Sequence, residues 1–424
     1  MSAGAAGSRR PARTRLALSA AATARWASQK AGRGKGSMIG GLIGLKIDPR
    51  LMPRLAAGKR TAIVTGTNGK STTTRMTAAA LGSLGDVITQ VDGANMDAGI
   101  VATLMLGQEA PLAALEVDEL HVPHVADAVD PEVLVLLNLS RDQLDRVGEI
   151  NAIERALRSG AQRHPGTTLI ANCDDVLITS VAYDSQKVVW VAAGSSWAGD
   201  SVSCPRSGEP IVRDGVDWYS TGADFRRPTP DWRFDDVNIY GPNGFQAPLE
   251  LRLPGTANRG NATQAVAAAV TMGVDPAAAV AAVGTVGEIA GRYAIRTVGD
   301  HQVRMLLAKN PAGWQEALSM IDQDADGLVI AVNGQVPDGE DLSWLWDVRF
   351  EHFESMQVVA SGERGTDLGV RLTYAGAEHT TIADPLRAIA SCPPGRVEVL
   401  ANYTAFRDLS TAIDRLNPAA ARGN

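Results

Sequence analysis

Gly66-Thr67-Asn68-Gly69-Lys70-Ser71-Thr72 stands between the apolar run Thr61-Ala62-Ile63-Val64-Thr65 and the stretch Thr73-Thr74-Arg75-Met76-Thr77-Ala78-Ala79-Ala80-Leu81. The first run reads as a strand and the second as a helix, so the glycines form a strand-to-helix turn. In such a turn backbone N–H groups and the helix N-terminus face an anion, Lys70 reaches the outer phosphates of a nucleotide, and the Ser71 hydroxyl holds Mg²⁺. The general phosphate-loop pattern also has a glycine at position 64. Here that position is Val64, so the match is to a shortened variant.

Working outward, strands and helices keep alternating. Asp86 to Val91, Leu112 to Val117, Val133 to Leu137 and Thr167 to Ala171 read as strands. Asp97 to Leu106, His121 to Val129 and Ile150 to Arg163 read as helices. Continuous apolar strands separated by helices predict a mostly parallel sheet with helices on both faces, an α/β fold that binds ligands at the carboxyl ends of its strands. Gly66, Glu116, Asn138 and Asn172 all fall at such ends. Residues 194–250 change character: Gly, Ser, Pro, Asp and Trp become common and helical periodicity vanishes, which predicts a small β-rich insertion. Helices are expected at Asn261 to Met272 and Pro276 to Val283. A Gly-rich break, Gly284 to Gly291, precedes Arg292.

The expected domains are a basic arm over 1–37, a central nucleotide-binding domain over 38–292, and a smaller Rossmann-like α/β domain over 293–424, about 130 residues and of usual size. In the last of these, Val303 to Leu307, Trp314 to Ile321, Gly327 to Val332, Gln357 to Ser361, Asp367 to Tyr374, Val397 to Leu400 and Thr404 to Leu416 are the candidate elements.

Composition sets bounds. At 424 residues and 45% hydrophobic the chain is long enough for an enzyme of two or three domains. A net charge of −7 gives no global basic field, and no nucleic-acid partner is expected. Cys173, Cys204 and Cys392 are odd in number and scattered, which fits a reducing compartment, and a cytoplasmic location is expected. The first 37 residues contain no acidic residue. They read as a disordered arm, a transit peptide or a surface-seeking helix. No stretch is long and apolar enough to span a bilayer, so contact with a membrane would be peripheral, at its inner face.

Phosphoryl transfer needs a divalent ion and hence a carboxylate near the phosphate loop. Glu116, at the end of its strand, is the candidate, against a solvated acidic turn with Asp118 and Glu119. Asn258 and Asn261 flank a helix start and read as caps. Arg292 reads as a surface charge, or as one reaching across a cleft to phosphate. Trp344 and Trp346 read as core, with Asp347 capping a helix.

Taken together, Gly66 to Thr72, Leu115-Glu116-Val117-Asp118-Glu119, Leu253-Pro254-Gly255 to Asn261, and Gly291-Arg292 resemble the Mur ligase family, in that family's order. Asn138 to Arg146, Leu307 to Trp314, Asp341 to Asp347 and Tyr403-Thr404-Ala405 are similar to a branch of it that amidates lipid II. The resemblance implies ATP and Mg²⁺ as cofactors. Gly66, Thr67, Asn68, Gly69, Lys70, Ser71 and Thr72 would hold triphosphate, Ser71 and Glu116 Mg²⁺, Asn258 and Asn261 would lie in the nucleotide site with Asn261 near adenine, and Arg292 would contact phosphate. It further implies that the α-carboxyl of D-isoglutamate in the lipid II stem peptide is activated as an acyl phosphate and attacked by ammonia.

The ammonia would come from a glutaminase partner of the GatD kind, forming a heterodimer, because none of the three cysteines stands in a nucleophile context. Asp347, with Asp341 as reserve, would complete that partner's catalytic site. Only 65 residues precede Gly66, which fits a lipid-linked substrate better than a domain gripping a uridine nucleotide.

One departure concerns zinc. Family members often carry four cysteines in the insertion, beginning Cys-Pro-x-Cys, and here the stretch is Cys204-Pro205-Arg206-Ser207. Serine is a poor zinc ligand. Zinc is therefore expected to be absent, Cys204 to be a remnant, and the lobe to hold its shape through Trp218, Tyr219, Phe225 and Trp232. The rival readings are a Mur-type amino-acid ligase of the folylpolyglutamate or cyanophycin kind, and a nucleotide-binding scaffold for a glutaminase.

Overall fold

The structure, a computed structural model, describes residues 11–30, 37–90, 93–141, 147–195, 199–287, 293–339, 341–351, 353 and 356–416. The N-terminal helices are α1 (Ala12–Lys30), α2 (Ser37–Ile47) and α3 (Leu51–Ala56). Then come β1 (Arg60–Thr65), α4 (Lys70–Leu81), β2 (Val87–Thr89), α5 (Asp97–Leu106), β3 (Leu112–Glu116), α6 (Val122–Val129), β4 (Val133–Leu136), α7 (Val147–Arg163), β5 (Thr168–Asn172), α8 (Val176–Ala182) and β6 (Val188–Val191). Short strands follow: β7 (Ile211–Asp214), β8 (Asp217–Ser220), β9 (Arg233–Phe234), β10 (Asn238–Tyr240) and β11 (Gln246–Pro248). Helices α9 (Thr256–Thr271) and α10 (Pro276–Gly284) complete this part.

The C-terminal part holds β12 (Tyr293–Val298), β13 (His301–Leu307), α11 (Pro311–Ser319), β14 (Gly327–Ala331), β15 (Gln357–Ser361), α12 (Gly365–Tyr374), β16 (His379–Thr381), α13 (Pro385–Ser391), β17 (Gly395–Ala401) and α14 (Tyr403–Leu416).

The first sheet has the order β2-β3-β1-β4-β5-β6, and every pairing in it is parallel. Successive side chains of a strand point to opposite faces, and β1 uses both. Ala62 and Val64 pack with Met76 and Ala80 of α4 and the buried alanines of α9. Ile63 packs on the other face with Ile100, Leu115 and Leu157. That two-sided burial explains why the strands read as unbroken apolar runs. The central strand β1 delivers the glycine turn to the carboxyl edge.

The second sheet has the order β12-β13-β17-β14-β15-β16 and is parallel except for β12 against β13. The sequence reading missed β12. It is an edge strand with five of its six residues only partly buried or exposed, Ala294 alone being buried, so it lacks an apolar run, and Gly299 at φ 57° turns the chain back into β13. Helix α9 begins at Thr256, five residues before the expected start, because Gly255 at φ 94° already turns the chain into it.

Within the arm, residues 12–30 are helical. Ala17 and Ala21 of α1 are fully buried, and Thr14 donates to Asp48 at 2.7 Å. In the insertion β7–β8 form a hairpin and β9–β11 a three-stranded sheet. Trp218 and Phe225 are buried, with ring centroids 5.1 Å apart, and pack on Cys204 and Val176. Two of the expected packing residues behave otherwise: Tyr219 is exposed, and Trp232 belongs to the core of the first sheet. The backbone around Cys204 closes a tight turn, with Gly208 N–H donating to its carbonyl at 2.8 Å.

Candidate nucleotide site

Two glycines let the β1–α4 turn adopt its shape. Gly66 has φ 135° and a Cβ there would lie 2.9 Å from the Asn138 backbone; Gly69 has φ 83° and a Cβ would lie 2.7 Å from Asn261 Oδ1. L side chains disfavour such φ values. Gly69 is the N-cap of α4 and supplies no side chain, so the first N–H groups of the helix point out of the turn uncapped. Asn138 braces the turn from the end of β4. Its Oδ1 accepts from Asn68 N–H at 2.9 Å, its Nδ2 donates to Asn68 O at 3.0 Å, and its carbonyl accepts from Thr67 N–H at 2.9 Å.

Lys70 is buried and folds back over the turn, donating to Gly66 O at 2.6 Å and pairing with Glu119 at 3.2 Å. Glu119 is itself buried, so this acidic turn is not solvated as one reading held. Ser71 donates to Glu116 Oε2 at 2.8 Å. The backbone of Glu116 is clamped by the Gln90 amide, which accepts from its N–H at 2.9 Å and donates to its carbonyl at 2.7 Å. A hydroxyl and a carboxylate in contact fit Mg²⁺, a hard ion that takes few protein oxygens and fills its shell with phosphate and water. Among the described residues no cluster of three or more His, Cys, Asp or Glu is poised for a metal.

A cavity of about 230 Å³ opens over the turn. Thr67, Asn68, Gly69, Lys70, Thr72, Asn258 and Asn261 line it from the first sheet's side, and Tyr293, Leu307, Lys309, Gly313 and Glu316 from the second's. The two sheets thus face each other across it, and Asn68 Nδ2 donates to Asn310 Oδ1 at 3.3 Å. Asn258 and Asn261 are not caps as expected. Gly255 holds the N-cap, so both lie within the first two turns of α9, and Asn258 donates to Pro254 O at 2.6 Å. A second cavity of about 410 Å³ lies on the other side of Asn68 and Gly69. There Asp175 accepts from Ile178 N–H at 2.9 Å and Leu139 N–H at 3.0 Å, and desolvation pushes its carboxyl up to about 6.

Arg292 lies outside the described residues. Asp347 is half-buried and follows the 3₁₀ turn Ser343–Trp346, so it caps no helix through its side chain, and its Oδ2 is buried without a partner. Trp344 is core as read, packed against Trp314 with ring centroids 5.1 Å apart and planes tilted by 32°. Trp346 is not: it is 55% exposed, against the edge of exposed Tyr374 at 5.3 Å. Asp341 is exposed and accepts from Ser343 N–H at 2.8 Å, a bond that holds its carboxyl below the usual range. Neither aspartate lines the nucleotide cavity. Sequence reasoning missed the pairing of Glu119 with Lys70 and the roles of Gln90 and Asn310.

Residues 64–269 match the Mur ligase middle domain and residues 307–406 the MurT ligase C-terminal domain. The chain thus carries two stretches that match Mur ligase domain families, one in each sheet's half of the molecule. Among curated proteins it is 28% identical to the lipid II isoglutaminyl synthase (glutamine-hydrolyzing) subunit MurT of Streptococcus pneumoniae, over 89% of this chain and 92% of that protein. It is likewise 28% identical to the subunit MurT of Staphylococcus aureus, over 94% and 97%. Two solved structures share the fold at a TM-score of 0.66: a pseudomurein peptide ligase type C from Methanothermus fervidus, 17% identical over 84% of this chain and 79% of that one, and MurF from Acinetobacter baumannii, 18% identical over 88% and 80%. These similarities agree with the resemblance carried by the sequence motifs and with the α/β fold.

Proposed function

We propose that this ligase is the ATP-using subunit of a lipid II isoglutaminyl synthase, converting the α-carboxyl of D-isoglutamate in the lipid II stem peptide to the amide of D-isoglutamine. One observation carries the reading. The two stretches that match the middle domain and the MurT C-terminal domain meet across a cavity whose floor is the glycine turn with Lys70.

In this reading ATP lays its phosphates on the turn, and Lys70 leaves Gly66 O and Glu119 to meet them. Ser71 and Glu116 would hold Mg²⁺, which neutralises phosphate charge and so lets a carboxylate approach. Asn138 keeps the turn from collapsing, and the uncapped N–H groups of α4 face the charge that develops on the transferred group. A carboxylate oxygen of the substrate attacks the γ-phosphorus and ADP departs, leaving an acyl phosphate. Ammonia then attacks the carbonyl carbon, phosphate leaves with that oxygen, and a proton is lost from nitrogen. Positioning and charge stabilisation are most of what such a transfer requires. Asn258 and Asn261 would flank the base of the nucleotide, and Arg292 would reach phosphate.

Ammonia would come from a GatD-like glutaminase. All three cysteines are buried. Burial pushes the thiol of Cys173 far up and that of Cys392 up to about 11. Burial acts in the same sense on Cys204 but is outweighed by hydrogen bonds from Ser207, the Arg206 backbone and Ser220, and this thiol sits in the insertion. Asp347, half-buried and next in sequence to exposed Trp346, would complete the catalytic site of that glutaminase subunit, with exposed Asp341 as the reserve. Such an enzyme would work in the cytoplasm at the inner membrane face.

The test is ADP release with lipid II, comparing ammonia with free amino acids, and glutamine with and without a co-purified glutaminase. The reading expects ammonia alone to suffice, and glutamine to serve only with the partner and not with Asp347→Asn. Turnover with an amino acid in place of ammonia would replace it with the amino-acid ligase reading.

A further inference from the structure

Helix α2, Ser37-Met38-Ile39-Gly40-Gly41-Leu42-Ile43-Gly44-Leu45-Lys46-Ile47, is packed inside out. At about 100° per residue, Gly40, Gly41 and Gly44 share one face and Met38, Ile39, Leu42 and Lys46 the opposite one. The glycine face is buried: a Cβ on Gly41 would lie 1.8 Å from Ala98 O of α5, and one on Gly40 would lie 3.1 Å from Ala21 O of α1. Ile43, Leu45 and Ile47 lie half-buried on the flanks, and the residues opposite the glycines are left outside, Met38 and Ile39 each 40% and Leu42 57% exposed. A helix stabilised by water exclusion would bury its leucines and expose its small residues.

Helix α1 repeats the pattern. Thr14, Ala17, Ala21 and Ser28 face inward, while Leu16 is 62% and Trp26 58% exposed. Lys30 Nζ lies 4.8 Å over the Trp26 ring. Trp26 and Leu18 line an apolar cavity of about 320 Å³ together with Met105 and Leu106 of α5.

Charge says what covers this surface. Residues 1–47 contain nine basic residues and no acidic one, in a chain whose net charge is −7. Arg15 and Lys30 fall on the same outer face of α1 as Leu16 and Trp26. Exposed apolar side chains framed by Lys and Arg, with tryptophan beside lysine, match the interface of an anionic bilayer in both sign and polarity.

We propose that the outer faces of α1 and α2, with the rim of α5, dock this chain on an anionic lipid surface. Met38, Ile39, Leu42, Leu16 and Trp26 enter the boundary between headgroups and acyl chains, and Arg15, Lys30 and Lys46 meet the phosphates. The geometry serves the site. Helix α5 starts just after Asn95, which lines the nucleotide cavity, and ends at Leu106 on the apolar rim. Its ten residues span about 15 Å. A substrate anchored by its lipid would therefore present its peptide within reach. The inference deepens the reading of a membrane-borne substrate, and it names the surface responsible.

The test is flotation of the full-length chain with vesicles free of lipid II, either rich in phosphatidylglycerol or of phosphatidylcholine alone, at low and high salt. The expected result is binding to the anionic vesicles at low salt, release by salt, and little binding to the neutral ones. Replacing Trp26 and Leu42 together by serine should weaken binding at least tenfold, and removing Arg15 or Lys30 about fivefold each. Melting temperature and nucleotide affinity serve as fold controls and should hold. No flotation of the wild-type chain at low salt, or flotation untouched by these substitutions, would overturn the proposal. So would an oligomer in solution that Trp26→Ser dissolves, since the surface would then cover a second copy. Flotation by a chain inactive on lipid II would leave this proposal standing and sink the amidation reading.

Discussion

Two strand-to-helix turns face each other across the nucleotide cavity, and they are finished differently. After β1, α4 starts on Gly69, with no side chain over its first N–H groups. After β13, α11 starts on Asn310, whose Oδ1 accepts from Gly313 N–H at 2.8 Å, with Pro311 next to it. One helix end is open and the other is closed by its own residue. Orphan N–H groups and the helix dipole attract an anion only where no side chain has already satisfied them. In the proposed function the phosphates would therefore lie on the first sheet's turn, and the second sheet's turn forms a wall of the cavity.

The comparison can be broken most sharply at Lys70. Lys70→Ala should cut ATP turnover about a hundredfold or more, measured as steady-state ADP release, while the buried partner Glu119 loses its counter-ion. Gly66→Ala should come next. Its φ of 135° and the Asn138 backbone 2.9 Å from a Cβ force the turn out of shape, so Mg-ATP affinity measured by calorimetry should fall steeply although no functional group is removed. Asn310→Ala opens the closed turn. It should cost about 1 kcal/mol of stability in a denaturant titration and leave nucleotide affinity nearly unchanged; a loss of affinity as large as at Gly66 would mean that the two turns share the phosphates.

The smallest effect is one of pH. Asp175 is raised from 3.8 to about 6, chiefly by desolvation. The fold thus favours its protonated form, and its contribution is full below pH 3.8 and lost as pH rises through about 6. Asp175→Asn should be less stable at low pH, through a lost backbone acceptor, with the gap to wild type narrowing as pH rises across that window.

The glycine turn was legible because its meaning is local: seven consecutive residues set the turn, the helix start and the cation. The parallel sheet was legible because burial on both faces leaves unbroken apolar runs. What escaped needed the third dimension. Glu119 looks like a solvated acid until α4 brings Lys70 to it, and the early start of α9 hangs on one glycine dihedral. Edge strand β12 lacks the apolar run of a buried strand, and the aromatic pair Trp344 and Trp346 divides between core and surface by the path of a single 3₁₀ turn. The exposed face of α2 was hidden for the same reason, since its sequence is apolar all round and only packing shows that the glycines went inward.

The central claim is that this chain makes a carboxyl group electrophilic by phosphorylating it. Lipid II labelled with oxygen-18 in the D-isoglutamate α-carboxyl, turned over with ATP and ammonia, tests it directly by mass spectrometry of the released phosphate. The account predicts one labelled oxygen in each phosphate released and none in ADP. Amide formed with unlabelled phosphate would contradict it.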